Sequence, residues 1–413
     1  MLTKIKRIIK WLYPGMKVKR WILLTGGGLL LFGYGWARLI FDEFLVIKFF
    51  DAFIILVGIG MIIAGIKKLM KSFITVFLPE RERELVDIMY RKRQLEKGTK
   101  IIAIGGGTGL STLLQGLKSF TNNITAIVTV ADDGGSSGRL REQFDVLPPG
   151  DIRNCLVALA DAEPLMQNLF QFRFEGDTEF KGHSFGNIFL TAMTKLTGGD
   201  FEKAIEQSSK VLAIRGRVVP ATLERVTLEA SYFDGSKTLG EAKIPSKGEP
   251  IKRISLRPAM IRASSSALKA IEEAELIILG PGSLYTSVIP NLLIQDIVDN
   301  IIKSHAFKIY TCNVMTQGGE TDGYTAFDHL KALINHTNKK IVDACVVNNA
   351  KIPEHFLNKY REKQSFPVIA DSQKIREAGY LVVEEDLVNF TDFVRHDSKK
   401  LAKTIVNIIA NYV

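Results

Sequence analysis

A short apolar stretch that runs directly into a cluster of glycines restricts the fold of this chain more than any other feature. Ile101 to Ile104 (IIAI) has the continuous apolar character of a buried parallel strand, and GGGTG follows at once. A helical pattern (STLLQGLKSF) and a second apolar run, Ile124 to Val130, come next. This order of strand, glycine loop, helix and strand predicts an α/β fold, a doubly wound, Rossmann-like and mostly parallel sheet.

The glycine loop also indicates a site for an anion. Consecutive backbone N–H groups at a helix N-terminus can bind a phosphate where no Cβ atom intervenes. The dinucleotide fingerprint is only partly matched, because Leu110 stands at the third glycine position, and no G-K-S or G-K-T ending marks a P-loop. A nicotinamide oxidoreductase is therefore disfavoured, and a glycine turn without a ligand is the plain alternative. The predicted ligand-binding residues here are Gly105, Gly106, Gly107, Thr108 and Gly109.

The stretch from Thr129 to Asn154 carries a high density of small and charged residues just past the second predicted strand. Open α/β sheets bind their ligands at this end of their strands. Asp132 or Asp133 could contact a ribose, or the two carboxylates could hold Mg²⁺ on a phosphate, since Mg²⁺ prefers oxygen ligands. The alternative is a solvated loop in which Asp133 only caps a turn. The predicted ligand-binding residues are Asp132, Asp133, Ser136, Ser137, Arg139, Asp151 and Asn154, and Arg141 could face the same anionic oxygens.

Three further motifs carry candidate ligand contacts. GHSFGN places a histidine and an asparagine before an apolar helix, where a histidine packed at the helix start is the alternative. ILGPGSLYTSV repeats the strand and glycine turn, with ordinary helix capping as the alternative. YTCNVMTQGGE ends a third strand in amide groups that suit a uracil edge or sugar hydroxyls, unless they only form the turn. The predicted residues are His183, Asn187, Gly280, Gly282, Ser283, Thr286, Asn313, Thr316 and Gln317.

Two regions are predicted to lie outside the parallel core pattern. Val226 to Tyr232 and Lys237 to Ile244 read as an antiparallel β insertion, and Arg215 is expected to reach the ligand site from its edge. At the carboxyl end, Asp397 and Ser398 form a cap signal in front of an amphipathic helix.

Two apolar runs near the amino terminus predict a membrane-anchoring hairpin over residues 1–71. The runs at 21–41 and 44–66 reach the roughly 20 residues that a spanning helix needs, and a buried soluble hairpin is the alternative. Residues 1–20 hold seven Lys/Arg and no acid, three lysines follow the second run, and acidic residues lie between the runs. The positive-inside bias then places both termini and the main domain in the cytoplasm, at the cell membrane. Residues 72–99 are predicted to form a juxtamembrane linker helix, and 100–413 the nucleotide-binding domain.

The distribution of charge argues against a nucleic-acid partner. The chain has a net charge of +10, but residues 1–100 hold 19 Lys/Arg against 8 Asp/Glu, and the remainder holds 35 against 36. The three cysteines are far apart and show no disulfide or zinc spacing, which is typical of a reducing compartment.

Several long motifs in order resemble one known family. IAIGGGTGLSTLLQGLK, VADDGGSSGRLR, LPPGDIRNCLVALAD and the three motifs above are similar to the YvcK branch of the CofD-like family, also called gluconeogenesis factors. The resemblance extends from Lys100 to the carboxyl end. It implies binding of a nucleotide sugar, especially UDP-N-acetylglucosamine, and a role that links carbon status to cell-wall synthesis and cell shape. The related CofD proteins transfer phospholactate from a guanosine-diphosphate-activated donor to a deazaflavin acceptor.

We therefore expect a membrane-tethered regulator that binds UDP-N-acetylglucosamine, forms a homo-oligomer and contacts the lipid bilayer and cell-wall synthesis proteins. The alternative is a Mg²⁺-dependent transferase of the CofD kind, in which Asp132 and Asp133 hold the metal on the donor diphosphate. The same residues serve both functions, so the sequence does not separate them. Members of the YvcK branch are often wholly soluble, and the hairpin sets this chain apart from them.

Overall fold

The structure is a computed structural model that describes residues 19–41, 44–77, 90, 93–162, 164–362, 364–390 and 393–412. The chain divides into two compact units, Met1–Lys92 and Arg93–Val413. Half of the predicted linker helix over residues 72–99 lies outside the described residues, namely residues 78–89, 91 and 92.

The first unit contains two long helices that pack against each other, α1 (Lys19–Phe41) and α2 (Leu45–Phe77). Glycines bring them into close contact, since a Cβ atom on Gly58 would lie 2.8 Å from the backbone nitrogen of Phe32. Near one end of this contact, Nε of Arg38 lies 3.3 Å from Oδ1 of the buried Asp51. The two predicted apolar helices are confirmed, and the second continues eleven residues beyond its predicted end.

The second unit is built on a seven-stranded sheet whose neighbouring strands are all parallel. Its order is β10-β9-β8-β7-β1-β2-β3. The strands are β1 (Ile101–Gly105), β2 (Ile124–Val128), β3 (Arg217–Pro220), β7 (Leu276–Leu279), β8 (Phe307–Thr311), β9 (Ala344–Asn348) and β10 (Leu381–Glu385).

Helices cover both faces of this sheet, so alternate residues of the central strand enter two different cores. Ile101 and Ala103 of β1 belong to one core, and Ile102 and Ile104 belong to the other. The first core includes side chains of α3 (Gly107–Leu117), α5 (Gly150–Leu159), α7 (Phe185–Leu196), α8 (Phe201–Val211) and α15 (Ser398–Tyr412). The second includes α9 (Ser265–Glu272), α10 (Ile289–Leu292), α11 (Gln295–Lys303), α12 (Ala326–Thr337) and α14 (Ser372–Glu377). The doubly wound α/β prediction is confirmed.

Shorter elements complete the second unit. Helices α4 (Gly135–Phe144), α6 (Pro164–Gln171) and α13 (Glu354–Arg361) and the antiparallel hairpin of β11 (Val388–Phe390) and β12 (Val394–His396) lie between the elements above. Helix α15 begins as predicted, because Oδ1 of Asp397 accepts the backbone N–H groups of Lys399 and Lys400.

The predicted β insertion is present and has one strand more than expected. It is a three-stranded antiparallel sheet in the order β5-β4-β6, formed by β4 (Thr227–Tyr232), β5 (Lys237–Leu239) and β6 (Ile251–Arg257). The second predicted strand is too long, because the chain turns after Leu239 into two short 3-10 segments, Glu241–Lys243 and Pro245–Lys247. The alternation in IKRISLR is broken by consecutive charges, which is why the third strand was not predicted.

Candidate functional site

The carboxyl ends of β1 and β7 form the crevice of the sheet. The chain proceeds outward from β1 to β3 in one direction and from β7 to β10 in the other. The order of the strands therefore reverses between β1 and β7, which is where doubly wound sheets bind their ligands. Both glycine loops predicted from the sequence leave their strands at this point.

The two glycine loops are in direct contact with each other. A Cβ atom on Gly109 would lie 2.6 Å from the carbonyl oxygen of Pro281, and one on Gly282 would lie 3.1 Å from that of Gly106. Side chains at these positions would push the loops apart, so glycine is what allows the close approach. The contact brings two predicted anion sites, more than 170 residues apart in the chain, to one place.

The peptide of the second loop is held by Asn313, which follows β8. The amide of Asn313 accepts the N–H of Gly282 at 3.1 Å and donates to the carbonyl of the same residue at 2.8 Å. Thr316 lies further along this segment, where its Oγ1 accepts the N–H of Phe366 at 2.8 Å. Asn313 therefore fixes the conformation of the second glycine loop. Thr316 links the segment after β8 to the segment around Phe366.

Other side chains predicted to contact a ligand at this loop bond to one another around Glu320. Oγ of Ser283 donates to Oε1 of Gln317 at 2.6 Å, and Nε2 of Gln317 donates to Glu320. Thr286 Oγ1 donates to the same carboxylate at 3.1 Å. Burial raises the pKa of Glu320 to about 7, and the hydrogen bonds from Thr286 oppose that shift.

The two adjacent aspartates after β2 have different partners. Oδ1 of Asp132 accepts the N–H of Gly134 at 2.9 Å, and burial raises the pKa of this carboxyl. Both oxygens of Asp133 instead accept backbone N–H groups of the β insertion, from Glu241 at 3.1 Å and from Ala242 at 3.0 Å. Asp133 is thus a cap for the insertion.

The prediction that Asp132 and Asp133 jointly hold a metal ion does not fit this geometry. Asp133 is committed to the backbone of the insertion, and Ser137 donates a hydrogen bond to Asp132. Across the described ranges, no three His, Cys, Asp or Glu side chains form a group that could hold a metal ion. We derive no step through Mg²⁺ from these residues.

Ser136, His183 and Asn187 form a buried polar cluster between α4 and α7. Oγ of Ser136 lies 2.9 Å from Nδ1 of His183, and Nδ2 of Asn187 donates to the same hydroxyl at 3.1 Å. With its oxygen accepting from Asn187, the Ser136 hydroxyl can donate its proton to the histidine. Burial, and then the nearby Arg139, lower the pKa of His183 and favour the neutral imidazole that can accept it. The sequence placed these three residues in two separate motifs.

The arginines around the crevice differ in the hydrogen bonds that they already make. Arg139 donates to the carbonyl of Lys181, and Arg141 is buried and donates to the carbonyl of Val226 at 2.6 Å. Asn154 accepts from the buried Arg153 at 2.7 Å, and Nε of Arg153 has no partner among the described residues. Arg153 was not predicted as a site residue.

Arg215 does not reach the crevice, contrary to the sequence-based expectation. It pairs with Asp161 at 2.7 Å and donates to the carbonyl of Lys118, beyond the carboxyl ends of α5 and α3. These helices run antiparallel to the strands, so their carboxyl ends lie at the opposite edge of the sheet.

Carboxyl groups from separate segments face one another across the crevice. Burial raises the pKa of Asp151 to about 7, and the nearby Asp132 adds to the shift. Burial also raises the pKa of Glu241 to about 8. The nearby charges add to this shift, and they belong to Asp132, Glu320, Asp151 and Asp133. Glu241 was not predicted because its segment, GEAK, has no recognisable motif and reaches the crevice only through the β insertion. Titratable groups with raised pKa values in a cleft are typical of functional sites.

A cavity of about 170 Å³ adjoins the first glycine loop on the side of β12. Thr108, Gly109 and Thr112 of α3 line one wall, and Arg395 and His396 of β12 line another. No motif in the sequence pointed to Arg395 or His396. A larger groove of about 770 Å³ lies along the outer edge of β3 and is lined by none of the predicted ligand-binding residues.

Comparisons with known proteins place this site in a family context. A family model described as 2-phospho-L-lactate transferase CofD matches residues 101–388. Gluconeogenesis factors of Halalkalibacterium halodurans and Bacillus subtilis are 48% and 49% identical to this chain, each over 75% of it and over 96% and 98% of their own lengths. A protein of Nostoc sp. (strain PCC 7120) is 47% identical over 98% of this chain and 93% of its own.

A solved structure agrees with the fold of the second unit. The crystal structure of a member of the UPF0052 family from Bacillus halodurans matches with a TM-score of 0.73 and 48% identity. It covers 75% of this chain and 99% of that protein. The match to the Nostoc protein covers 98% of this chain and so includes part of the amino-terminal unit. The matches to the two shorter relatives cover 75% and leave about a quarter of this chain unmatched.

Proposed function

Because this chain belongs to the CofD family, in the branch whose relatives are named gluconeogenesis factors, we propose that it is a regulator that binds a nucleotide sugar between β1 and β7. The ligand that we favour is UDP-N-acetylglucosamine. The main support is the direct contact between the two glycine loops at the reversal of strand order. Two backbone anion sites that meet suit a diphosphate with one organic group at each end.

The hydrogen bonds of the predicted contact residues agree with a protein that binds its ligand without converting it. Asn313, Ser283 and Gln317 are bonded to the loop or to each other, so they hold a shape instead of presenting a reactive group. In this proposal the loaded protein signals carbon status to cell-wall synthesis and so influences cell shape. Its partners are cell-wall synthesis proteins and further copies of the same chain.

A transferase of the CofD kind is the second candidate, and the cluster of Ser136 and His183 favours it. A neutral imidazole within 2.9 Å of a hydroxyl is the arrangement that a general base needs in order to accept a proton. In that function His183 would take the proton of an acceptor hydroxyl while the acceptor oxygen bonds to one phosphorus of the donor diphosphate. The bond from that phosphorus to the bridging oxygen would break, and the nucleoside monophosphate would leave.

Titration calorimetry of the full chain with UDP-N-acetylglucosamine and with a guanosine-diphosphate sugar, each with and without Mg²⁺, tests both candidates. We expect UDP-N-acetylglucosamine to bind and to be recovered unchanged. Asn313→Ala should weaken binding at least tenfold because it releases the peptide of Gly282, and Asn358→Ala on the exposed face of α13 is the matched control. If the protein instead consumes the nucleotide sugar and His183→Gln abolishes this activity, the transferase is the correct function and the regulator is not.

We further propose that α1 and α2 cross the cell membrane with both termini in the cytoplasm. Both helices are long and apolar enough, and only 11% and 17% of their most apolar segments are buried, whereas the core helix of a soluble protein would be mostly buried. Lys19, Arg20, Lys67 and Lys68 lie at one end of the hairpin, which by the positive-inside bias is the cytoplasmic end.

Cysteine labelling in intact cells tests this orientation. Cys155, Cys312 and Cys345 are buried, so they give a low background. A membrane-impermeant maleimide should label Asp42→Cys in intact cells, whereas Lys97→Cys should react only after lysis. Labelling of Lys97→Cys in intact cells would show the opposite orientation. Recovery of the protein in the soluble fraction would show that the hairpin is not a membrane anchor.

A further inference from the structure

A cavity of about 230 Å³ is lined by residues of both α12 and the β insertion. Its walls come from the turn after β4, the start of β6 and one face of α12, together with Tyr285 of the short helical segment Leu284–Val288. None of the predicted ligand-binding residues lines this cavity. It is therefore distinct from the crevice between β1 and β7.

Two tyrosine hydroxyls at this cavity leave one hydrogen-bond donor without an acceptor. The hydroxyl oxygens of Tyr285 and Tyr324 lie 2.7 Å apart, and each hydroxyl carries one proton. Only one of the two protons can lie between the oxygens. The other O–H has no acceptor in the part of the chain that the structure describes. Polar groups in such places normally have a partner, and a ligand hydroxyl or a phosphate oxygen would supply one.

The two tyrosine rings are held in place by histidines. Tyr285 packs edge to face against His336 with ring centroids 5.7 Å apart, and Tyr324 packs in the same way against His329 at 5.6 Å. Both ring nitrogens of His336 have backbone partners, one of them the N–H of Ile254 at 3.0 Å. The hydroxyls are thus fixed before a ligand arrives, which lowers the cost of binding one.

Two lysines supply positive charge at the same cavity. Lys252 at the start of β6 and Lys331 on α12 line it, and both are exposed. Neither ammonium group has a hydrogen bond or an ion pair with any residue that the structure describes. Asp328 also lines the cavity, and its Oδ2 accepts two hydrogen bonds from Thr325. Two uncommitted ammonium groups against one carboxylate favour an anion with more than one charge, such as a phosphate monoester.

An exposed aromatic ring and the size of the cavity restrict the rest of the ligand. Phe233 lies in the turn between β4 and β5, lines the cavity and is 73% exposed. Its ring can cover the apolar face of a sugar. The volume is below the roughly 300–1,000 Å³ that is typical of sites for drug-sized ligands, so the ligand is small.

We propose that this cavity is a second ligand site and that it binds a small sugar phosphate. The phosphate pairs with Lys252 and Lys331, the sugar hydroxyls bond to the tyrosine pair, and Phe233 covers the sugar ring. Tyr285 is next in the chain to Thr286, which bonds to Glu320 at the second glycine loop. The site goes beyond the proposed nucleotide-sugar function and does not depend on it.

Titration calorimetry of the full chain in detergent micelles with glucose 6-phosphate tests the proposal. We expect one saturable site, with glucose and inorganic phosphate each binding about tenfold more weakly or worse, since each keeps only part of the contacts. Lys331→Gln and Phe233→Ala should each weaken binding by about fivefold or more. Both side chains are exposed, so neither substitution should prevent folding. Lys339→Gln, just past the end of α12, is the matched control and should bind as the natural protein does.

Three results of these titrations would overturn the proposal. The first is no saturable binding of glucose 6-phosphate at millimolar concentrations. The second is an equal affinity for inorganic phosphate, which would show that the cavity attracts any anion. The third is unchanged binding in both Lys331→Gln and Phe233→Ala, which would place the sugar phosphate elsewhere on the protein.

Excess UDP-N-acetylglucosamine separates this site from the proposed one. Where that ligand binds, glucose 6-phosphate should still bind in its presence. Displacement would place the sugar phosphate in the crevice and refute the second site. If UDP-N-acetylglucosamine does not bind at all, the proposed function fails, and the titrations of Lys331→Gln and Phe233→Ala with glucose 6-phosphate still decide the role of the cavity.

Discussion

Glu320 is a carboxyl group that the fold holds in a place unfavourable to its charge. Its side chain is 3% exposed, and Oε2 has no hydrogen-bond partner in the part of the chain that the structure describes. Its pKa rises from 4.5 to about 7. Because the folded value is the higher one, the stability that Glu320 contributes is fully present below pH 4.5. It is lost as the pH rises through 7.

We expect Glu320→Gln to raise the free energy of unfolding at pH 8 by up to about 3 kcal/mol and to change it little at pH 4.5. The amide resembles the protonated carboxyl and carries no charge to bury. Urea unfolding of the full chain in detergent micelles at both pH values measures the effect. Glu273→Gln at an exposed position is the control, and a variant that is less stable than the natural protein at pH 8 would contradict the expectation.

At the scale of residues, the sequence predicted which residues gather at the crevice better than it predicted the partners of each side chain. The glycine loops, Ser136, His183 and Asp132 converge at one edge of the sheet. Asp133 caps a short segment of the β insertion, 108 and 109 positions away, and not a turn of its own loop as the alternative interpretation had it. Hydrogen bonds over such distances depend on the packing of whole elements, so local patterns do not predict them.

Helix α3 depends on one close contact with the last helix of the chain. A Cβ atom on Gly116 would lie 2.0 Å from the carbonyl oxygen of Ser398 and 2.8 Å from Cβ of Ala402. Alanine is favoured over glycine in a helix by about 1 kcal/mol, but a clash with backbone costs more than that. The balance of the two effects decides the sign of the substitution.

We predict that Gly116→Ala destabilises the protein by about 1–3 kcal/mol and weakens ligand binding, because α3 carries the first glycine loop. Chemical unfolding and calorimetry of the full chain measure the two effects. Gln115→Ala, on the exposed side of the same helix, should stay within about 0.5 kcal/mol of the natural protein. Unchanged or increased stability in Gly116→Ala would show that α15 can move away.

At the scale of elements, strands flanked by glycine loops were predictable and the insertion was predictable in part. Continuous apolar runs such as Ile101 to Ile104 are buried on both faces, as their composition indicates. The strand β6 alternates poorly between buried and exposed residues, and the short hairpin of β11 and β12 has only three residues in each strand. Such short or irregular strands form because of their contacts with neighbouring elements, so the local sequence pattern does not predict them.

At the scale of the whole molecule, the predicted ligand contacts all belong to the second unit. They lie between Gly105 and Gln317, whereas the first unit ends at Lys92. We therefore predict that a chain of residues 93–413 binds the nucleotide sugar within about twofold of the affinity of the full chain. Calorimetry on both proteins measures this, and cell fractionation should find only the full chain in the membrane. A tenfold loss of affinity in the shorter chain would show that the hairpin contributes to binding.

The position of the crevice between β1 and β7 has a consequence for the order of events during synthesis. Leu276 follows Gly105 by 171 residues, so the first strand of the sheet waits for a neighbour that the ribosome has not yet made. At roughly 5–20 residues per second, the chain from the end of α2 to Glu320 takes about 12–50 s to appear. In the proposed topology, the hairpin can enter the membrane throughout that interval. A nascent chain that stops before β7 would then be anchored and would lack the proposed ligand site.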